Sequence, residues 1–197
     1  MGKAEQTRQL IIEKAAPIFN KKGYLGTSIS DLTESTGLTK GAIYGNFKNK
    51  NEIALEAFEY NANKIISEFM SEVFKSDDAI EMLLSVADFF LNNSADIYKR
   101  GGCPIINAAA DSDDTNIYLN RKVKEQIEGL RSMIAQIIDE GIAKDKIISS
   151  VNSNTFASVA ISLIEGGSLL SKTTGDMKFL SNSIKQLKEM IINIKKQ

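Results

Sequence analysis

Gly23-Tyr24-Leu25-Gly26-Thr27-Ser28-Ile29, followed by Gly37-Leu38-Thr39-Lys40-Gly41-Ala42-Ile43-Tyr44-Gly45-Asn46-Phe47-Lys48-Asn49-Lys50, is the stretch that decides the fold. Thr27 and Ser28 are strong N-cap residues, and Ser28 stands three positions before Asp31, close to a capping box. Ile29 and Leu32 give the helix that follows one narrow apolar face. Gly37 can close that helix in the left-handed conformation. Leu38 then fills the turn, and Thr39 caps a second helix. Two helices joined by a short turn containing glycine make a helix-turn-helix. The second helix has the wrong composition for a buried one: Thr39, Lys40, Gly41, Tyr44 and Asn46 are small or polar. Only Ala42, Ile43 and Phe47 are left to dock it.

So short a helix is unstable alone and needs a scaffold. Ile11, Ile12, Ala15, Ile18 and Phe19 recur at helical spacing from Arg8 to Lys22, and Gly23 ends the run. Pro17 sits inside it, so a bend is expected near residues 13–17. In such motifs the start of the second helix faces base edges, while flanking residues hold phosphates. Thr39 and Lys40 lie at that start, and Gly41 permits close approach of the main chain. Tyr44, Lys48 and Lys50 are placed for phosphates, Asn46 for phosphate or base, and Thr27 or Ser28 for phosphate at the start of the preceding helix. The same residues also suit an ordinary helical hairpin with a solvated, lysine-bearing face.

From Arg8 to about Phe58 the chain resembles the DNA-binding region of the TetR/AcrR family of bacterial regulators. The resemblance is carried by Ile11-Ile12-Glu13, Ala15, Phe19, Gly23-Tyr24, Thr27-Ser28-Ile29, Asp31-Leu32, Gly37-Leu38, Lys40-Gly41, Ile43-Tyr44, Phe47 and Lys50-Asn51-Glu52-Ile53. The chain departs from the family at Gly45-Asn46, where a bulkier residue followed by histidine is common. The resemblance implies a dimer whose larger helical body encloses a small-molecule pocket, with a ligand there changing the spacing of two DNA-reading heads.

At 197 residues the chain is about three times a minimal DNA-binding module, so most of it has another task. Of its 24 basic and 25 acidic residues, eight basic and four acidic fall up to Lys50. A basic head therefore precedes an acidic body, which suits phosphate binding at one end. No run approaches the ~20 apolar residues of a membrane span, and no secretory leader is recognisable. The lone Cys103 excludes an intramolecular disulfide and fits a reducing cytoplasm. The chain has no histidine, which removes the commonest general base and transition-metal ligand. No phosphate-binding loop or nucleophile elbow occurs, so neither catalysis nor a cofactor is expected.

Beyond the head, Asn49 and Glu52 open a helix running to about residue 75, and Asp77-Asp78 caps another that is apolar nearly all round. Gly101-Gly102-Cys103-Pro104 breaks the chain before a short helix. Asp111-Ser112-Asp113-Asp114 fails the EF-hand pattern, having Asn116 in place of glycine and Lys122 in place of glutamate, and reads as a loop with a helix cap. A charged helix with an apolar stripe follows to about Gly141. Phe58, Ile65, Phe69, Met82, Phe89, Phe90, Tyr98, Ile105, Asn107 and Tyr118 are the pocket candidates, being aromatic or flexible apolar groups with a few polar ones; each also suits plain core packing. In the last two helices Leu163, Gly166, Gly167, Leu170, Ile184, Leu187 and Ile191 read either as a two-fold self-association surface or as intramolecular core.

The expected architecture is all-α, about nine helices, with a three-helix helix-turn-helix head over residues 1–48 and a ligand-binding and dimerisation bundle over 49–197. The expected function is that of a cytoplasmic, homodimeric regulator of double-stranded operator DNA, acting as a repressor that a small, largely apolar ligand releases. A helical ligand- or protein-binding module with impaired DNA binding is the alternative.

Overall fold

The computed structural model describes residues 2–196, and among them every regular element is a helix. There are ten: α1 Lys3–Gly26, α2 Ile29–Thr36, α3 Lys40–Tyr44, α4 Lys50–Val73, α5 Ala79–Asn92, α6 Ser94–Lys99, α7 Pro104–Ser112, α8 Ile117–Ala143, α9 Ser153–Thr174 and α10 Lys178–Asn193. The element beyond the expected nine is α6, because the apolar run that starts at Ala79 is interrupted at Asn93. Asn93 folds its side-chain amide back onto the Phe89 carbonyl and ends the turn there.

The helical angles are not broken at residues 13–17, where Pro17 lies. The backbone stays helical through Pro17, and the one residue of α1 with non-helical angles is Gly23 (φ 74°, ψ 172°). Pro17 and Glu13 are both exposed, so water can satisfy the Glu13 carbonyl that proline leaves without a donor.

The chain divides into two compact units. The first joins the residues up to Ile65 with Arg100–Gln126, so α7 and the start of α8 belong with α1–α3 and most of α4. Its core is Ile11, Ala15, Phe19, Leu32, Ile43, Phe47, Ile53 and their neighbours, with Tyr24, Ile29 and Leu38 packed against it. Ile43 is wholly buried and Phe47 nearly so; together they hold α3 down. The second unit joins Ile66–Lys99 with the chain from Ile127 onward. There Phe69, Phe89 and Phe90 form a triad with ring centroids 5.3–5.9 Å apart, two of its pairs edge-on. In the same unit α10 packs on α9 and α5 through Leu180, Ile184, Leu187 and Ile191. Gly167 allows the close approach of α9 and α10, since an added Cβ would stand 2.8 Å from Ser183 Oγ.

Candidate nucleic-acid interface

The capping box expected at Ser28 is present. The Asp31 amide donates to Ser28 Oγ (3.1 Å), and Asp31 Oδ2 accepts from the Ser28 amide (2.8 Å). Lys22 Nζ reaches Asp31 Oδ1 at 2.6 Å. That hydrogen bond, and next the one from the Ser28 amide, hold the Asp31 carboxyl far below the ordinary carboxylate range. Gly37 (φ 70°, ψ 11°) closes α2 in the left-handed region, its amide donating to Thr33 O at 2.9 Å. Thr39 Oγ1 accepts from the Ala42 amide at 3.2 Å and so caps α3.

With Ile43 and Phe47 turned inward, Thr39, Lys40, Gly41, Tyr44 and Lys48 form an exposed face. Lys40 Nζ lies 6.0 Å from the centre of the Tyr44 ring, at the edge of cation–π range. Asn46 is half-buried, and its Nδ2 is occupied by Ala42 O at 2.9 Å. Three other candidates are differently placed. Thr27 is 1% exposed and donates its hydroxyl to Gly23 O at 2.7 Å. Ser28 is exposed, yet its hydroxyl already serves the capping box. Lys50 points inward: its ammonium donates to Tyr24 O (2.8 Å) and Thr27 O (3.0 Å) and lies 4.3 Å from the Tyr24 ring centre. Thr27, Ser28 and Lys50 thus build the connection between α1 and α2.

A second support is Arg8, which spacing alone does not single out. Its guanidinium bonds Glu52 (2.7 Å), Glu56 and the Asn46 carbonyl, and sits 4.0 Å over the Phe47 ring. Glu52 also accepts from the Lys48 amide at 2.6 Å. The Arg8 hydrogen bond lowers the Glu52 carboxyl below its usual range, and the same bond raises the Arg8 guanidinium. One arginine therefore ties the end of the reading helix to the first turns of α4. Its partners are 38 to 48 residues away, so no local pattern could have disclosed them.

Residues 11–57 match the model of bacterial regulatory proteins of the tetR family, and residues 79–187 match the tetracyclin repressor-like C-terminal domain. This chain belongs to the TetR family. A TetR-family regulator from Cytophaga hutchinsonii is 35% identical, covering 100% of this chain and 98% of its own, with a TM-score of 0.95. Another, from Chloroflexus aurantiacus J-10-FL, is 33% identical over 99% and 98% of the two chains, with a TM-score of 0.94. A helix-turn-helix transcriptional regulator from the lacX 3′ region of Lactococcus lactis subsp. lactis is 25% identical over 183 residues, 92% of this chain and 91% of its own.

As a TetR-family protein, the chain is a DNA-binding transcriptional regulator. No helix among the described residues is long and apolar enough to cross a membrane. The first unit of this regulator holds a small cavity of about 30 Å³ that includes two pocket candidates, Phe58 and Asn107, beside Phe19, Ala54 and Leu119. That space suits about two water molecules, against the ~300 Å³ or more of a ligand pocket. Ile65 and Ile105 are buried in the same unit, while Tyr118 is 62% exposed at the start of α8. Phe69, Met82 and Phe89 are buried and Phe90 and Tyr98 half-buried in the second unit. Tyr98 Oη, Ser112 Oγ and Asn116 Nδ2 are buried polar atoms without a hydrogen-bond partner; composition gave no sign of the last two.

The candidates for self-association separate into two sets. Ile184, Leu187 and Ile191 are each 1% exposed and face α9 and α5 within the chain, and Gly167 is buried against Ser183. Gly166 and Leu170 face outward and Leu163 is half-buried, alongside the exposed Val159 and Leu169.

Proposed function

We propose that this TetR-family regulator is a cytoplasmic homodimer that represses transcription from a two-half-site operator and is released by a small, largely apolar ligand. Thr39, Lys40 and Gly41 meet the major groove and Tyr44 and Lys48 flanking phosphates, with Asn46 at the margin of the contact. Residues 1–48 serve as the reading head and 49–197 as the ligand-binding and dimerising body. The observation that carries this reading is the face of α3: Ile43 is buried while Lys40, Gly41 and Tyr44 are exposed.

A single five-residue helix buries too little to bind DNA tightly, so two copies are needed on one duplex. Leu163, Gly166 and Leu170 of α9, with Val159 and Leu169 beside them, supply the self-association stripe; Ile184, Leu187 and Ile191 fasten α10 behind it. The ligand is accommodated among the aromatic candidates of the body. It binds best to a conformation in which the two heads no longer match the half-site spacing, and the operator complex is depleted by population shift.

The test is a titration against the DNA upstream of the protein's own coding sequence, with a scrambled duplex as control, at several salt concentrations. Tight binding at two protomers per site, weakened about tenfold or more by Lys40→Ala or Tyr44→Ala, is the expected result. Variants that bind as well as wild type would remove α3 from the interface.

A further inference from the structure

The elbow between α1 and α2 is held by side chains of α7. Where α1 leaves helical geometry at Gly23, an added Cβ would stand 2.9 Å from Asp111 Oδ1, so that carboxylate rests directly on the elbow's backbone. Asp111 Oδ2 accepts the hydrogen bond of the Tyr24 amide. One turn earlier on α7, Asn107 Nδ2 donates to Gly101 O (2.8 Å) and is shared between Asn20 Oδ1 (3.0 Å) and Asn20 O (3.1 Å). Asn20 answers with Nδ2 to Arg100 O (2.9 Å) and Gly102 O (3.1 Å). Two amides and one carboxylate thus join the end of α1 to residues 100–111.

Packing at this place is incomplete, because the cavity of about 30 Å³ lies among Phe19, Phe58, Asn107 and Asp111. Interiors resist displacement through close packing, so beside a void the polar bonds carry more of the connection. What they hold leads straight to the reading helix. Tyr24 and Thr27 give their carbonyls to Lys50, Thr27 gives its hydroxyl to Gly23, and the neighbouring Ser28 caps α2.

We propose that Asn107 and Asp111 are positioning residues for DNA binding: they latch the α1–α2 elbow in its operator-competent geometry, and a displacement of α7 unlatches it. This rests on the reading of α3 given above. It gives α7, which belongs to the same compact unit as α1–α3, a part in setting the geometry of the elbow at Gly23-Tyr24. When the latch is open only a fraction of the protein is competent, and the apparent affinity falls by that fraction.

The experiment uses the full-length protein and a duplex selected by it from a random-sequence pool. Asn107→Ala and Asp111→Ala are expected to bind about tenfold more weakly with the salt slope unchanged, because every phosphate contact is still made. Asp111→Asn keeps an acceptor oxygen for the Tyr24 amide and stays within about threefold of wild type. Lys40→Ala, the control for the interface, lowers both affinity and slope. Linkage adds a readout needing no variant: if the latch favours operator binding, the duplex must slow amide exchange across residues 100–111 of the wild-type protein.

Full affinity in Asn107→Ala and Asp111→Ala, with Lys40→Ala weakened, would overturn the latch and leave the interface standing. Full affinity in all three would overturn the interface instead. Absence of DNA-dependent protection at residues 100–111 overturns the latch even if the alanine variants fold poorly.

Discussion

The reading helix α3 and the closing helix α10 are held in place by opposite means. α10 spans sixteen residues and buries Leu180, Ile184, Leu187 and Ile191 along one stripe, so its position follows from its own amphipathic pattern. α3 has five residues and one fully buried side chain, Ile43. It is supported from outside, by Phe47 behind it, Thr39 as cap, and the Arg8 clasp across Asn46, Glu52 and Glu56. A helix that must leave one face free for DNA has little apolar surface with which to dock. Its scaffold supplies polar ties instead, and those ties lie far away in sequence.

The largest effect separating the two is expected in the closing pair. Leu187→Ala removes a side chain that is 1% exposed and should destabilise the protein by about 2–5 kcal/mol, read as a lowered urea midpoint. Leu170→Ala, at 47% exposure, should change the stability of the single chain by about 0.5 kcal/mol or less. Its effect should appear in sedimentation equilibrium, as a weaker dimer. Equal losses of stability at both positions would mean that the division between inward and outward residues is drawn wrongly.

The same pair shows where the sequence could be read and where it could not. Spacing marks Leu163, Leu170, Ile184, Leu187 and Ile191 as apolar stripe, but an apolar stripe looks identical whether its own chain or a second copy covers it. The head was more legible, because caps are local chemistry: Ser28 with Asp31, Gly37 and Thr39 each act within four residues. What stayed hidden there was long-range. Lys50 carries the same charge as Lys40 and lies nearby in sequence, yet two carbonyls of the elbow take its ammonium. Pro17 keeps helical angles, since a helix tolerates proline where the orphaned carbonyl faces water.

The two lysines give the next comparison. Lys50→Met leaves the Tyr24 and Thr27 carbonyls without their charged donor and should lower stability by about 1–3 kcal/mol, with the salt slope of DNA binding little changed. Lys40→Ala should leave stability within about 0.5 kcal/mol and reduce the magnitude of that slope by about one per head. The exchange of these two outcomes would place Lys50 on the DNA and Lys40 in the scaffold.

The smallest effect lies in pH, and it bears on the supports of α2 and α3. Asp31 and Glu52 both have carboxyls lowered in the folded state, Asp31 chiefly by Lys22 and Glu52 chiefly by Arg8. A lowered carboxylate contributes fully above the unfolded value of about 4. As pH falls through that value the unfolded chain takes up a proton that the folded chain refuses, so stability declines from about pH 5 downward. Asp31→Asn should therefore flatten the drop in urea midpoint between about pH 5 and 3, while lowering the midpoint at neutral pH through loss of the Lys22 pair, since the amide oxygen still accepts from the Ser28 amide. Above that window the chain has no histidine to titrate. DNA binding should accordingly be flat from about pH 6 to 7.5 at constant salt, with Asn46 standing where other members of the family commonly carry histidine. Asn46→His would introduce a charge into the same half-buried place beside Ala42 O, and binding that strengthens as pH falls through about 6.5 would put residue 46 against phosphate.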